Sequence, residues 1–206
     1  MGPGSSIILK NALTSAELNL INRTIDSISD SRKDEDFWVS STKPIGGNLE
    51  SDGRPFIITH EDITFESPNY DEDEFKQIYK SIGYRPRYSI DLGAMFKGDL
   101  DHKILGEITL YLAKQLGGYI DFGGAIFSLN YLPWYRSSSW YLNADWSSIE
   151  PFFKKFIKNM PGNIYTIKYK TISERKWAYH RKWAYHICDV EFLEFWLNCP
   201  EFHMIK

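Results

Sequence analysis

Residues 88–124 read YSIDLGAMFKGDLDHKILGEITLYLAKQLGGYIDFGG, and this stretch decides the predicted fold. Its middle holds the clearest helical pattern in the chain, which ends at the glycine pair Gly117-Gly118. The apolar residues at helical spacing are Ile104, Leu105, Ile108, Leu112 and Leu116. Runs typical of strands lie on either side, at 88–96 and 119–122. The stretch therefore predicts a strand, a helix capped by Asp99 or Asp101, and a second strand.

Similar patterns extend outward in both directions. Helices are predicted at 15–29, with Thr14 and Glu17 as a capping box, at 71–80, from Ser148 to Met160, and after Asp189. Residues 29–36 are polar and are expected to end the first helix. Strands are predicted at 7–9, 37–40, 56–59, 63–65, 125–131, 163–170 and 202–205. Helices and strands mix without a strict βαβ repeat, so we predict an α+β fold with a mixed or antiparallel sheet flanked by about four helices.

The length of the chain, 206 residues, fits one domain. Residues 1–6 look like a cloning remnant and are set aside, which leaves residues 7–206 as a single globular domain. There is no secretory signal and no apolar run long enough to cross a bilayer. Two cysteines, Cys188 and Cys199, are typical of reduced thiols. We therefore expect a cytoplasmic protein without a membrane partner.

The sequence contains no motif for nucleophilic catalysis, phosphate binding or metal binding. We accordingly expect no enzyme activity, no cofactor and no metal. The alternative is an enzyme with a pocket near His102 and Asp121. Under this alternative, the carboxylates of Asp91 and Glu107 would lie close to that of Asp121 in the folded protein. Spacing in the sequence alone does not test whether they do.

Charge is unevenly distributed along the chain. Residues 1–74 hold 15 acidic and 6 basic residues, and every charged residue within 61–74 is acidic. Basic residues interleaved with aromatic ones span 154–182, a pattern typical of nucleic-acid binding. The net charge of −3 and the lack of a nucleic-acid-binding motif argue against that alternative.

A hexapeptide, RKWAYH, occurs twice in tandem at 175–180 and 181–186. Because six is an even number, a strand would return equivalent residues to the same face of a sheet. The duplication therefore favours an extended conformation, with Trp and Tyr on one face and Ala and His on the other.

Several segments resemble an uncharacterised bacterial family that is associated with immunity proteins of polymorphic and contact-dependent toxin systems. The resemblance covers roughly residues 80–125 and 183–206. The resemblance is based on SIDLGAM at 89–95, DHKILGEI at 101–108, LGGYIDFGG at 116–124 and WAYHICD at 183–189, with Phe192, Trp196, Pro200 and FHMIK at 202–206.

The resemblance implies a protein that binds and neutralises the C-terminal domain of a cognate toxin by masking its functional surface. Many such toxins are nucleases with basic surfaces, so an acidic patch would speed association. The expected contact residues are Asp34, Glu35, Asp36, Asp71, Glu72, Asp73 and Glu74. An aromatic segment at 131–146 serves either as a core lid or as a contact surface, and it would add Trp134, Tyr135, Trp140 and Tyr141 as anchors. The oligomeric state is left open.

Overall fold

The strand at the centre of the structure comes from the first residues of the chain. A computed structural model describes residues 2–39, 53–63, 70–124, 126, 146–171, 181–200 and 202–204. The strands are β1 (Gly4–Leu9), β2 (Ser29–Lys33), β3 (Asp36–Val39), β4 (Arg54–Asp62), β5 (Tyr88–Ala94), β6 (Tyr119–Asp121), β7 (Ile164–Thr171) and β8 (Arg181–Cys188). The helices are α1 (Ser15–Ile28), α2 (Glu72–Ile82), α3 (Asp99–Leu116), α4 (Trp146–Ile157) and α5 (Val190–Trp196).

All eight of these strands join one sheet in the order β2-β3-β4-β5-β1-β6-β8-β7. Each neighbouring pair is antiparallel. The predicted α+β fold is confirmed, and of the two sheet types that were left open the structure has the antiparallel one. Five helices, rather than about four, lie within the described residues.

The two faces of the sheet are covered unequally. The main hydrophobic core lies on one face, where α1, α3, α4 and α5 pack against apolar strand residues such as Ile7, Phe56 and Ile120. A smaller core on the other face joins α2 to Ile8, Ile167 and Ile187 of the sheet. Because one helix cannot cover eight strands, part of this second face has none of the described helices over it.

The capping box predicted for α1 is present, and α2 has one as well. Thr14 and Glu17 form a reciprocal capping box at the start of α1. Asp71 and Glu74 form a second one at the start of α2, and Gly83 ends that helix with a φ of 81°. Helix α3 differs from its prediction, because its N-cap is Gly98 rather than an aspartate.

Asp101 takes another role at the start of α3. Its carboxylate accepts the Gly98 N–H at 2.8 Å and pairs with Arg54 Nη1 at 3.0 Å. This ion pair is buried on the Asp101 side, and it ties α3 to the first residue of β4.

The amino-terminal residues correct one sequence interpretation. Residues 4–6 were set aside with the presumed cloning remnant, yet they form the first half of β1. Ser5 bonds to Thr109 of α3 at 2.8 Å, and Gly2 N–H donates to Ala94 O at 3.0 Å. Small polar residues carry little strand signal by themselves, so only pairing with β5 and β6 reveals their role.

Three other element predictions also change. Residues 29–33 were expected only to end α1, but they form strand β2, which pairs with β3 at the sheet edge. The strand piece at 56–59 is part of the longer strand β4, whereas residue 63 follows this strand without belonging to it, and residues 64 and 65 lie outside the described residues. Residues 202–204 are not in a strand, and the strand expected at 125–131 falls largely outside the described residues.

The second hexapeptide copy lies in β8, as an extended conformation predicts. Tyr185 faces the smaller core, whereas Ala184 belongs to the main core on the opposite face. The predicted placement of Tyr and Ala on opposite faces is confirmed for this copy. The first copy, at 175–180, lies outside the described residues.

The side-chain amide of Gln77 links helix α2 to the edge of the sheet. Gln77 Nε2 donates to Lys168 O at 2.8 Å, and Lys168 N–H donates to Gln77 Oε1 at 2.9 Å. The side chain therefore imitates one more strand residue beside β7, which is the last strand of the sheet.

We expect the Gln77→Ala substitution to lower the free energy of unfolding by about 1–2 kcal/mol, because it removes both hydrogen bonds at once. Urea denaturation measures the change. Gln77→Glu keeps one acceptor and loses the donor, so its loss should be smaller at neutral pH. Equal stability of Gln77→Ala and the unaltered protein would contradict this role.

Among the described residues, no helix combines the length and the apolar character that crossing a bilayer requires.

Candidate functional site

The uncovered part of the α2 face forms a cavity of about 680 Å³. Four carboxylates and three tyrosines line it, together with small polar residues. The acids are Glu61, Glu74, Asp91 and Asp121; the tyrosines are Tyr70, Tyr169 and Tyr185; the others are Ser6, Thr59, Ser89 and Gly123. No lysine, arginine or histidine is among these lining residues. We call this feature the acidic cavity.

The floor of the acidic cavity is a row of residues in register across four strands. Thr59 of β4 pairs with Asp91 of β5, Asp91 with Ser6 of β1, and Ser6 with Asp121 of β6. Residues directly opposite one another in a sheet point to the same face. The pairing therefore brings together side chains that lie up to 115 positions apart in the chain.

Asp121 is the most buried acid of the cavity, with only 4% of its surface exposed. Its carboxylate accepts the Tyr70 hydroxyl at 2.6 Å and the Gly123 N–H at 2.7 Å. Burial raises the pKa of Asp121 to about 6, although both hydrogen bonds act in the opposite direction. The charges of Asp91 and Glu74 raise the pKa further, so like charges and burial together outweigh the hydrogen bonds.

Two further acids border the same space. Asp91 accepts hydrogen bonds from the hydroxyls of Ser6 and Ser89, the latter at 3.1 Å. Glu74 comes from the first turn of α2, and burial raises the pKa of its carboxyl. Its capping bond to Asp71 N–H, at 2.9 Å, fixes the direction in which the side chain leaves the helix.

Tyr185 contributes a buried hydroxyl to the cavity wall. The residue is 6% exposed, and its Oη has no hydrogen-bond partner among the described residues. Glu74 lies near enough to interact electrostatically with this hydroxyl but outside hydrogen-bond geometry. Burial, with the charges of Asp121 and Glu74, raises the pKa of Tyr185. A buried and unpartnered hydroxyl is costly, which indicates a position where a ligand group can bind.

The structure divides the acids that the sequence analysis assigned to one contact. Glu74 lines the acidic cavity and Asp71 caps the same helix. Glu72 and Asp73 are exposed on α2, where they pair with Arg85 and Lys76, both at 3.3 Å.

The other acidic group does not belong to α2. Asp34, Glu35 and Asp36 lie at the turn between β2 and β3, at the edge of the sheet opposite to β7. Asp34 takes a positive φ of 54° there, a conformation that aspartate tolerates in turns. Asp34 and Glu35 line a separate, smaller concavity that shares Thr59 with the acidic cavity, so the expected contact through residues 34–36 and 71–74 stays a prediction.

The expected convergence of carboxylates is correct for one pair and wrong for a third residue. Asp91 and Asp121 share the acidic cavity. Glu107 lies on α3 against the main core, on the other face of the sheet, where Lys103 is 3.9 Å away. Ser6, Tyr70 and Tyr185 were not identified from the sequence. The alternation of polar and apolar residues in 88–92 is the one local signal that a polar face exists there.

His102 and Asp121 do not lie in one pocket, so the pocket predicted under the enzyme alternative is not formed by these two residues. His102 belongs to the first turn of α3, and its Nδ1 accepts the Met204 N–H at 3.0 Å. It does not line the acidic cavity. Within the described part of the chain, no three histidine, cysteine, aspartate or glutamate side chains are close enough to share a metal ion.

The aromatic anchors Trp134, Tyr135, Trp140 and Tyr141 lie outside the described residues, so their predicted role stays a prediction. Trp146, at the end of that aromatic segment, is 1% exposed and packs in the core. Its ring meets His186 at a centroid distance of 5.1 Å.

The fold and the cavity together define a class: an α+β protein whose antiparallel sheet exposes an acid-lined concavity on its less covered face. The chain belongs to a protein family, the family of unknown function DUF6368, whose model matches residues 1–206. Residues 4–6 of β1 are therefore inside the family match. Neither a curated protein nor a solved structure shows detectable similarity to the chain.

Proposed function

We propose that this protein is an immunity protein that binds the C-terminal domain of a cognate bacterial toxin and neutralises it by masking a basic functional surface. The observation that carries the proposal is the acidic cavity, a concave surface whose described lining residues include four carboxylates and no basic side chain. The N-cap residue Asp71 and two acids of the first turn of α2, Glu72 and Asp73, add negative charge beside Glu74. Concave acidic surfaces attract cationic partners and exclude anionic ones.

The resemblance of residues 80–125 and 183–206 to immunity proteins supports the same proposal. Asp91, Asp121 and Tyr185 of the cavity fall within these ranges. A nuclease toxin would present the positive surface with which it binds phosphate, and that surface complements the cavity in charge. The proposed site of action is the cytoplasm, where cysteines that form no disulfide, such as Cys188 and Cys199, stay reduced.

The proposal implies that a toxin domain is encoded beside this gene, and the direct test uses that domain. That domain is expressed in a sensitive bacterium with and without this chain, and the purified pair is examined by size-exclusion chromatography. Restored growth and a stable complex are expected. Growth inhibition that persists at full expression of this chain, without a complex, would refute the proposal.

A single charge reversal on α2 tests the contact surface. Asp73→Lys is expected to lower the association rate constant with the toxin domain about fivefold at low ionic strength, because Asp73 is exposed and lies on the proposed approach path. Stopped-flow fluorescence or biolayer interferometry measures the rate. The dissociation rate should change less, since rim charges mainly steer association.

The chain offers a matched control for this experiment. Glu191 is likewise an exposed acid at the second position of a helix, α5, which packs on the opposite face of the sheet. Glu191→Lys makes the same change in net charge and a similar change at a helix start. Equal slowing by Asp73→Lys and Glu191→Lys would mean that only net charge matters and would reject the α2 surface as the contact.

An enzyme is the second candidate function, and one observation favours it. A buried carboxyl with a raised pKa, Asp121, next to a tyrosine hydroxyl in a cavity resembles a general acid–base pair. This candidate would gain support if a substrate were turned over by the protein and the Asp121→Asn variant lost turnover while it still neutralised the toxin.

A further inference from the structure

The acids of the cavity floor are held apart by the sheet. Asp91 and Asp121 both pair with Ser6, from opposite sides of β1. Adjacent strands are about 4.8 Å apart, so the two aspartate backbones are separated by roughly 10 Å. A group that contacts both carboxylates must therefore be wide or carry donors on more than one edge.

The charges of the floor are not balanced by the fold. Asp91 and Asp121 form no ion pair with a lysine, arginine or histidine in the described ranges. Their hydrogen bonds come from neutral groups, namely serine and tyrosine hydroxyls and a backbone N–H. Asp121 is buried and Asp91 is half-buried. A buried carboxylate without a counter-charge is unfavourable, and a cation from outside would remove that cost.

The unpartnered hydroxyl of Tyr185 is the second and independent indication of a ligand. It is buried, lines the cavity and has a free lone pair for an N–H donor. The rings of Tyr70 and Tyr185, with centroids 6.2 Å apart, add aromatic surface on the same side. A planar cation can stack on such rings.

We propose, building on the binding role above, that the acidic cavity receives the guanidinium group of one arginine side chain of the partner protein, held between Asp91 and Asp121 and against Tyr185. Guanidinium is planar and carries five N–H donors on several edges, so it can reach two separated carboxylates and a phenol at once. An ammonium group is a compact charge and reaches fewer of these groups. A metal ion fits less well, because no three ligating side chains among the described residues converge.

A small probe tests this assignment on the isolated full-length chain. The probe is N-acetyl-arginine N-methylamide, titrated at pH 7.5 and followed by NMR. The citrulline analogue serves as an uncharged isostere and the lysine analogue as a compact cation. We expect saturable shifts for the arginine probe, affinity at least about tenfold weaker for citrulline, and several-fold weaker for lysine. Shifts of the lining residues 91, 121 and 185 are expected to be the largest.

Substitutions then identify the contacts. Asp91→Asn and Asp121→Asn should each weaken the arginine probe about tenfold, and Tyr185→Phe a few-fold without a change in charge. Glu191→Gln, an exposed acid on the other face, is the control and should have no effect. The NMR spectrum of each variant also reports whether it is folded, and Tyr185→Phe keeps the ring that packs the wall.

The outcomes separate this inference from the proposed function. Equal affinity for arginine and citrulline probes, absence of arginine-probe binding, or binding that survives both aspartate substitutions would overturn the guanidinium site. If the toxin domain is neutralised equally well by Asp91→Asn and Asp121→Asn, the immunity role stands and this inference fails. If the arginine probe binds as expected but no toxin domain is neutralised, the cavity assignment stands without the immunity role.

Discussion

The Asp121→Asn variant is expected to be more stable than the unaltered protein at pH 7.5, by about 2–3 kcal/mol. The ordinary pKa of an aspartate in the unfolded chain is near 4, whereas burial raises the pKa of Asp121 in the folded protein to about 6. Between these values the folded state holds more protons than the unfolded state. The stability that Asp121 contributes is therefore complete below pH 4 and is lost as the pH rises to about 6.

Asparagine fits the same position without a charge. Its carbonyl can accept the Gly123 N–H, and its amide can donate to the Tyr70 hydroxyl. Urea denaturation at pH 4, 5, 6 and 7.5 should show the stability advantage of Asp121→Asn growing with pH. Asp62→Asn, at an exposed position of β4, should give a difference that does not follow this course. An Asp121→Asn variant that is less stable at every pH would show that the ionised carboxylate stabilises the fold.

Stabilisation by removing an acid has a functional meaning. A protein that places like charges in one cavity gives up stability that a neutral residue would supply, and such positions are typical of binding sites. The same substitution is expected to weaken binding of a cationic partner. Opposite effects of Asp121→Asn on stability and on binding would thus distinguish a ligand site from a structural acid cluster.

The sequence predicted the elements of the fold better than it predicted their arrangement. The helix of residues 99–116 has strong periodicity and a terminal glycine, so its existence follows from local pattern. Strand β1 was recognised only at 7–9, because residues 4–6 carry neither apolar alternation nor β-branched residues. Their strand conformation depends on pairing with β5 and β6, which are more than 80 residues away in the chain.

The acidic cavity was only partly predictable, for a related reason. Asp91 and Asp121 were noted as acids that converge under one alternative, but convergence depends on register across β1 and not on sequence spacing. Glu74 was expected at a contact surface because of its charge, and it does line the cavity. Asp34 to Asp36 have the same local charge pattern yet lie at the turn between β2 and β3 and do not line the acidic cavity, since charge composition does not encode strand order.

The opposite face of the sheet contains a histidine whose titration changes stability with pH in the opposite direction to that of Asp121. His186 is fully buried and stacks on Phe153 at a centroid distance of 4.2 Å. Its Nδ1 accepts the Ile126 N–H at 3.0 Å, which assigns the proton of the neutral ring to Nε2. Burial lowers the pKa of His186 to about 3, from an ordinary value near 6.5. The stability due to this group is complete above pH 6.5 and is lost as the pH falls toward 3.

The His186→Gln variant is therefore expected to become more stable, relative to the unaltered protein, by about 1.4 kcal/mol for each pH unit between pH 6 and pH 4. At pH 7.5 the variant should be less stable by about 1–3 kcal/mol, because ring packing is lost. The change of this stability difference with pH, and not its size at any one pH, identifies the titration of His186.

The stability due to Asp121 changes with pH in the opposite direction over nearly the same interval. In a double variant with Asp121→Asn, the two pH dependences relative to the unaltered protein should therefore cancel. Denaturation of the two single variants and the double variant at pH 4, 5 and 6 measures all three slopes. A His186→Gln variant whose deficit is constant from pH 4 to pH 6 would mean that His186 is protonated without cost in the folded protein, so that burial on this face of β8 does not control its charge.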